Sequence, residues 1–243
     1  ATNTTAQFII IDTVDPSIDT APQDETVECD GSGNTTALNV WLAANGNAIA
    51  TDDCGDITWT NDYTALSDDC GATGTTSVTF TATDDCGNNT STTAQFIIVD
   101  NTPPTIDDSA TDETITCDAN SAALLQAWLD ANGNATASDI CGGVTWTNDY
   151  TNNISDDCGA TGAATVTFTA TDDCGNATNT TAQFIIQDTT DPVFDTPAQD
   201  TTIQCNTANQ DALIAAWLAN NAGATSSDVC GDVTWINDYT GLS

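Results

Sequence analysis

Along this chain hydrophobic residues alternate with threonine in short runs, as in Val78-Thr-Phe-Thr-Ala82 and Val166-Thr-Phe-Thr-Ala170. Alternation at period two, with β-branched and aromatic residues on one side, predicts half-buried strands. Across residues 100–187 the same reading gives strands at Glu113-Thr-Ile-Thr-Cys117, Val144-Thr-Trp-Thr147, Val166 to Ala170 and Ala182-Gln-Phe-Ile-Ile186. One segment changes period. Leu124, Leu125, Trp128 and Leu129 share a face at helical spacing, with Ser121 placed to cap the start and Gly133 to stop it. Asp156-Asp-Cys-Gly159 and Asp172-Asp-Cys-Gly-Asn176 read as turns, and Asp100-Asn-Thr-Pro-Pro-Thr-Ile-Asp107 as an extended junction.

The pattern recurs every 88 residues. Phe8, Phe96 and Phe184 stand in the same phrase, Thr-Ala-Gln-Phe-Ile-Ile, and Cys29, Cys117 and Cys205 keep the same interval. The helical face returns as Leu38, Trp41, Leu42 and as Leu213, Ile214, Trp217, Leu218. A period this long marks an array of modules, each large enough for its own core. The expected borders are the last strand of one repeat at 1–11, whole repeats at 12–99 and 100–187, and a partial repeat at 188–243. Short strands at this spacing, interrupted once by a helix, predict an all-β chain of tandem immunoglobulin-like β-sandwich repeats. Because both ends cut through the period, the sequence reads as a segment of a longer chain. The helix tryptophans are expected to plug the cores. Trp59, Trp146 and Trp235, on strands, are expected to face inward; if they faced outward, each repeat could bind carbohydrate or protein.

Charge narrows the partners. Lys, Arg and His are absent, and 36 Asp and Glu give a formal net charge of −36. Nucleic acid and anionic lipid both require cationic side chains, so neither is a partner. No apolar run reaches the roughly 18 to 20 residues of a membrane span, so no membrane insertion is expected in this segment. Nucleophilic catalysis needs a base such as His or Lys, and the Asp pairs recur in every repeat, so no enzyme activity is expected. Ten cysteines occur at repeating spacing: Cys29, Cys54, Cys70, Cys86, Cys117, Cys141, Cys158, Cys174, Cys205 and Cys230. Without Cys-x-x-Cys pairs they read as a disulfide framework in an oxidising compartment rather than as zinc sites.

The run Val166-Thr-Phe-Thr-Ala-Thr-Asp-Asp-Cys-Gly-Asn176, followed by Phe-Ile-Ile and an Asp-x-x-x-Pro junction, resembles the hyalin-repeat type of immunoglobulin-like domain. With its Trp-Leu helix and doubled Asp-Asp-Cys-Gly turns, the chain looks like the tandem repeats of giant cell-surface adhesins of gliding and biofilm-forming Bacteroidota. The resemblance implies a secreted, extracellular shaft at the cell surface, contacting neighbouring repeats and other copies of the fibre, and projecting a part that attaches to surface polysaccharide or protein. In such a sandwich the turns with Cys54, Cys70 and Cys86 and the strand end with Cys29 are expected at one pole. That favours Cys29–Cys54 with Cys70–Cys86, the alternative being Cys29–Cys70 with Cys54–Cys86, at ~3 kcal/mol per bond. Ca²⁺, which takes oxygen ligands from flexible Asp-rich loops, is expected at the junctions. The candidate ligands are Asp100, Asp107, Asp139, Asp156, Asp157, Asp172 and Asp173, then Asp188, Asp191, Asp195 and Asp228.

Overall fold

The computed structural model of the chain describes residues 1–155 and 157–241, which fall into two compact units. The first holds residues 1–106 together with 137–145 and 170–178. The second holds residues 107–136, 146–169 and those from Asn179 on. Unit borders and the 88-residue period do not coincide, because loops of the second repeat pack on the body of the first.

In the first unit the chain forms β1 (Ser17–Thr20), β2 (Glu25–Glu28), α1 (Thr35–Ala43), β3 (Ile49–Thr51), β4 (Thr58–Asn61), β5 (Gly74–Thr83) and β6 (Asn89–Val99). Strands β5 and β6 pair antiparallel from Gly74 opposite Ile98 to Thr83 opposite Asn89. Strand β4 joins the β5 edge and β2 lies parallel to β6, giving the order β2-β6-β5-β4. Strands β1 and β3 form a separate antiparallel pair. The alternation has its expected effect: Val78, Phe80 and Ala82 from β5, and Ala94, Phe96 and Ile98 from β6, are buried together. Helix α1 closes this core with Trp41, whose ring meets Phe80 edge-on at 5.2 Å and Phe96 at 5.5 Å. Its indole N–H donates to the Gln23 carbonyl at 2.9 Å, so the large apolar ring is buried without an unpaired donor.

The second repeat follows the same plan with β7 (Thr105–Asp108), β8 (Glu113–Thr116), α2 (Ser121–Asp130), β9 (Thr136–Ser138), β10 (Val144–Asn148), β11 (Gly162–Asp172) and β12 (Ala177–Gln187). Its sheet order is β10-β11-β12-β8, and β7 pairs with β9. Trp128 sits on Phe168 and Phe184 at 5.2 and 5.4 Å. Two local expectations change here. Asn120 occupies the N-cap position, while the Ser121 hydroxyl accepts the Asp118 N–H and is itself the first helical residue. Leu124 stays 44 % exposed, so the buried stripe of α2 is Leu125, Trp128 and Leu129. The helix ends at Asn132-Gly133-Asn134, all at positive φ. Here Gly is required, because a Cβ at Gly133 would lie 2.8 Å from the Phe168 ring.

The third repeat contributes β13 (Val193–Thr196), α3 (Gln210–Ala219) and β14 (Thr225–Ser227). Among the described residues no strand follows β14, and residues 201–204, which correspond to β8, form no strand. The architecture is thus all-β with short helices: tandem immunoglobulin-like β-sandwich repeats.

Candidate functional site

The cysteines do not pair within repeats. The disulfides are Cys29–Cys141, Cys70–Cys174 and Cys117–Cys230, each joining one repeat to the next. This corrects both expected pairings: strand length excludes the favoured one, and in the alternative Cys29 and Cys70, which share one end of the sheet, are instead taken up by Cys141 and Cys174 of the next repeat. Cys70 precedes β5 and Cys86 follows it, and a ten-residue strand places its ends roughly 33 Å apart, whereas bonded cysteines need Cα atoms within about 7 Å. The four cysteines of a repeat therefore occupy both ends of its sheet rather than one pole. Cys54, Cys86, Cys158 and Cys205 are exposed free thiols.

The two cysteines of a bond are held differently. On the donating repeat, Cys29 ends β2 and gives its N–H to the Val99 carbonyl at 2.8 Å, while Cys70 gives its N–H to the Thr73 hydroxyl at 3.2 Å. On the receiving repeat a carboxylate organises the loop. Asp139 accepts the Cys141 N–H at 2.7 Å, and Asp172 accepts those of Cys174 and Asn176 at 2.8 and 2.9 Å. The incoming loop also docks by backbone, since the Cys141 carbonyl accepts the Ala72 N–H at 2.6 Å. Cys141 becomes part of the buried core of the first repeat, and Cys230 part of that of the second. The Cys117–Cys230 boundary repeats the geometry, with Asp228 on the Cys230 N–H at 2.7 Å and the Ala160 N–H on the Cys230 carbonyl at 2.7 Å.

The same boundaries concentrate carboxylates. Ligand atoms of Asp100, Asp139 and Cys141 lie within 4.8 Å of one another, as do those of Asp188, Asp228 and Cys230 and those of Asp12, Asp52 and Cys54. Burial, then the charges of Asp139, Asp172 and Glu28, push the Asp100 carboxyl above its ordinary pKa despite the N–H of Thr102. Asp172 goes the other way. Burial opposes its charge, but the side chain and N–H of Asn176 and the N–H groups of Cys174 and Gly175 outweigh it and lower the pKa. Asp12 Oδ2 is buried with no hydrogen-bond partner, a place that suits a cation.

The other expected ligands are dispersed. Asp173 accepts the Gly143 N–H at 2.8 Å, Asp195 accepts the Ser227 hydroxyl at 2.9 Å, and Asp107 lies in β7. Asp157 and Asp191 sit exposed in loops, and Asp156 lies outside the described residues. Asp12 and Asp52, absent from the expected set, were within reach of sequence reading, since they are the counterparts of Asp100 and Asp139 one repeat earlier, at 88 and 87 residues. Each aspartate pair brings at most four of the six to eight oxygens that Ca²⁺ takes, so carbonyls or water would complete the shell. The strand tryptophans Trp59 and Trp146 are half-buried and pack against the cores, as expected of inward-facing side chains, whereas Trp235 is 36 % exposed.

No protein-family model matches the chain, and neither does any curated protein. Solved structures to which the chain is weakly similar include Drosophila N-cadherin EC1–4, at TM-score 0.30 and 8 % identity over 72 % of this chain, which spans half the length of that one. Human CDH23 EC21–23 gives TM-score 0.30 and 15 % identity over 70 % of this chain and 63 % of its own. Mouse cadherin-23 EC22–24 gives 0.27 and 13 % over 79 % and 74 %.

Proposed function

We propose that this chain is a non-catalytic, load-bearing spacer of an extracellular adhesion protein, a shaft of covalently stapled repeats. The carrying observation is that every disulfide joins one repeat to the next, over sequence separations of 104 to 113 residues. Bonds that closed loops inside a repeat would stabilise that repeat alone. Bonds across a boundary limit how far the array lengthens when a repeat gives way. Disulfides persist in oxidising surroundings, which supports an extracellular setting. The one-sign surface opposes collapse of the array on itself. The resemblance to adhesin repeats of gliding Bacteroidota supports the finer reading, a stalk at a bacterial cell surface that projects an attachment part. Ca²⁺ held by Asp100 with Asp139, and by Asp188 with Asp228, fits this role by offsetting charge where the repeats meet.

Stretching single molecules from end to end tests it. With the bonds intact the covalent path runs 1–29, 117–141 and 230–243, about 65 residues, so full extension stops near ~230 Å; reduction releases the whole chain to ~850 Å. Equal lengths with and without reductant would defeat the shaft reading. For the cation, a chelator-sensitive melting temperature that Asp100→Asn renders insensitive is the expected result.

A further inference from the structure

The bonds at the repeat boundaries obey one rule. A cysteine in the Cys29 position joins the Asp-x-Cys-Gly loop of the following repeat, as Cys29–Cys141 and Cys117–Cys230 both do, with Cα atoms 6.0 Å apart. A cysteine in the Cys70 position joins the Asp-Asp-Cys-Gly-Asn turn of the following repeat, as in Cys70–Cys174 at 5.2 Å. Applied to the four free thiols, the rule leaves each without a partner in this sequence. Cys54 and Cys86 are the Cys141 and Cys174 positions of the first repeat, and Cys158 and Cys205 are the Cys70 and Cys29 positions of the second and third.

We infer that Cys54 and Cys86 form a ready-made receiving face for one further repeat of this kind, docked in line ahead of the first and bonded through its own Cys29-position and Cys70-position cysteines. The inference rests on the stapled-repeat reading above. By the same rule Cys158 and Cys205 are donors toward a repeat that follows.

The receiving face already has the shape of a bonded one. Asp52 accepts the Cys54 N–H at 2.7 Å, as Asp139 and Asp228 do for Cys141 and Cys230. Asp84 accepts the N–H groups of Cys86 and Asn88 at 2.8 and 2.9 Å, the counterpart of Asp172 with Cys174 and Asn176. Asp12 approaches Asp52 and Cys54 as Asp100 approaches Asp139 and Cys141. On the donor side, Thr161 holds the Cys158 N–H at 3.2 Å, as Thr73 holds that of Cys70. Cys205 alone lacks its bonded setting, because residues 201–204 have no strand beside them. Closure of each bond removes two thiol protons and two electrons. Both pass to a small-molecule disulfide such as oxidised glutathione, which leaves as two thiols.

The test lengthens the full chain by fusing a second copy of residues 100–176 ahead of Ala1, since residues 1–10 already repeat residues 177–186. After refolding in a glutathione buffer, thiols are alkylated and bonds are mapped after acid-protease digestion, the chain having no Lys or Arg for trypsin. The parent is expected to show four thiols. The lengthened chain is expected to show four again rather than eight, with Cys54 bonded to the added copy of Cys117 and Cys86 to the added copy of Cys158. In a Cys54→Ser version Cys86 should still bond. The bonds Cys29–Cys141, Cys70–Cys174 and Cys117–Cys230 report folding in the same digest. If they form while Cys54 and Cys86 stay alkylated, or if those two bond to each other, the receiving-face inference is overturned. If they are missing from the parent itself, the stapled-repeat reading falls first.

Discussion

Helices α2 and α3 have nearly the same sequence and very different surroundings. Helix α2 buries Leu125, Trp128 and Leu129 against Phe168 and Phe184, which are fully buried. Helix α3 carries the matching Leu213, Ile214, Trp217 and Leu218 yet buries no residue, and an open cleft of about 510 Å³ lies along it, lined by Ile203, Leu213, Ile214, Trp217 and Tyr239. The difference is the long strand pair, present in the second repeat as β11 and β12. A helix of ten residues is marginal alone, and its stability comes from the face it packs on. The helix is therefore a lid on the strand pair rather than an independent element.

Removing the aromatic floor of the closed repeat should have the largest effect. Phe168→Ala should lower unfolding free energy by about 3–5 kcal/mol, whereas Phe194→Ala, at a side chain 70 % exposed, should change it by less than about 0.5 kcal/mol in urea melts. A smaller effect is expected at the helix stop. Gly133→Ala meets both a φ of 63° and the Phe168 ring and should cost about 2 kcal/mol. The third repeat holds Ala222 at φ 54° in that place, so Ala222→Gly should stabilise by up to about 1 kcal/mol. Both are readable as shifts in melting temperature.

Smallest is the pH response. The lowered pKa of Asp172 means its stabilising contribution is complete above the ordinary value near 3.8 and is lost as pH falls through the folded value. Asp100, with a raised pKa, has the opposite sign: its contribution is present below about 3.8 and is lost as pH rises through the folded value. Asp100→Asn should therefore stabilise the chain at pH 7 in the absence of divalent cation, by less than about 1 kcal/mol, and the gain should vanish below pH ~3.8. Melting curves of parent and variant at pH 7 and pH 3 check this.

Much of this fold is legible because its strands alternate openly. Val78-Thr-Phe-Thr-Ala82 could be read as β5, and Trp41 and Trp128 as plugs, from period and residue type alone. Strands β1 and β7 are harder, since proline-flanked junctions read as extended without revealing that Ser17–Thr20 pairs with Ile49–Thr51. The acidic boundary was legible in part: Asp100 and Asp139 meet, whereas Asp173 and Asp195 are drawn off by local N–H and hydroxyl donors. The disulfide partners were beyond reach for a deeper reason. In a periodic sequence nothing local distinguishes Cys54 from its counterpart Cys141, so which repeat supplies the partner is a property of packing alone.

The overlap of the bonds has a consequence for damage. Cys29–Cys141 spans any break in the backbone between those residues, Cys117–Cys230 spans any break from there to Cys230, and the two spans share residues 117–141. A protease that hydrolyses one peptide bond anywhere from residue 30 to residue 229 thus leaves both fragments in one covalent molecule. Severing this stretch takes a cut and the reduction of every bond that spans it, one bond outside the Cys70–Cys174 span and two or three within it, and reduction is the rarer event outside a cell.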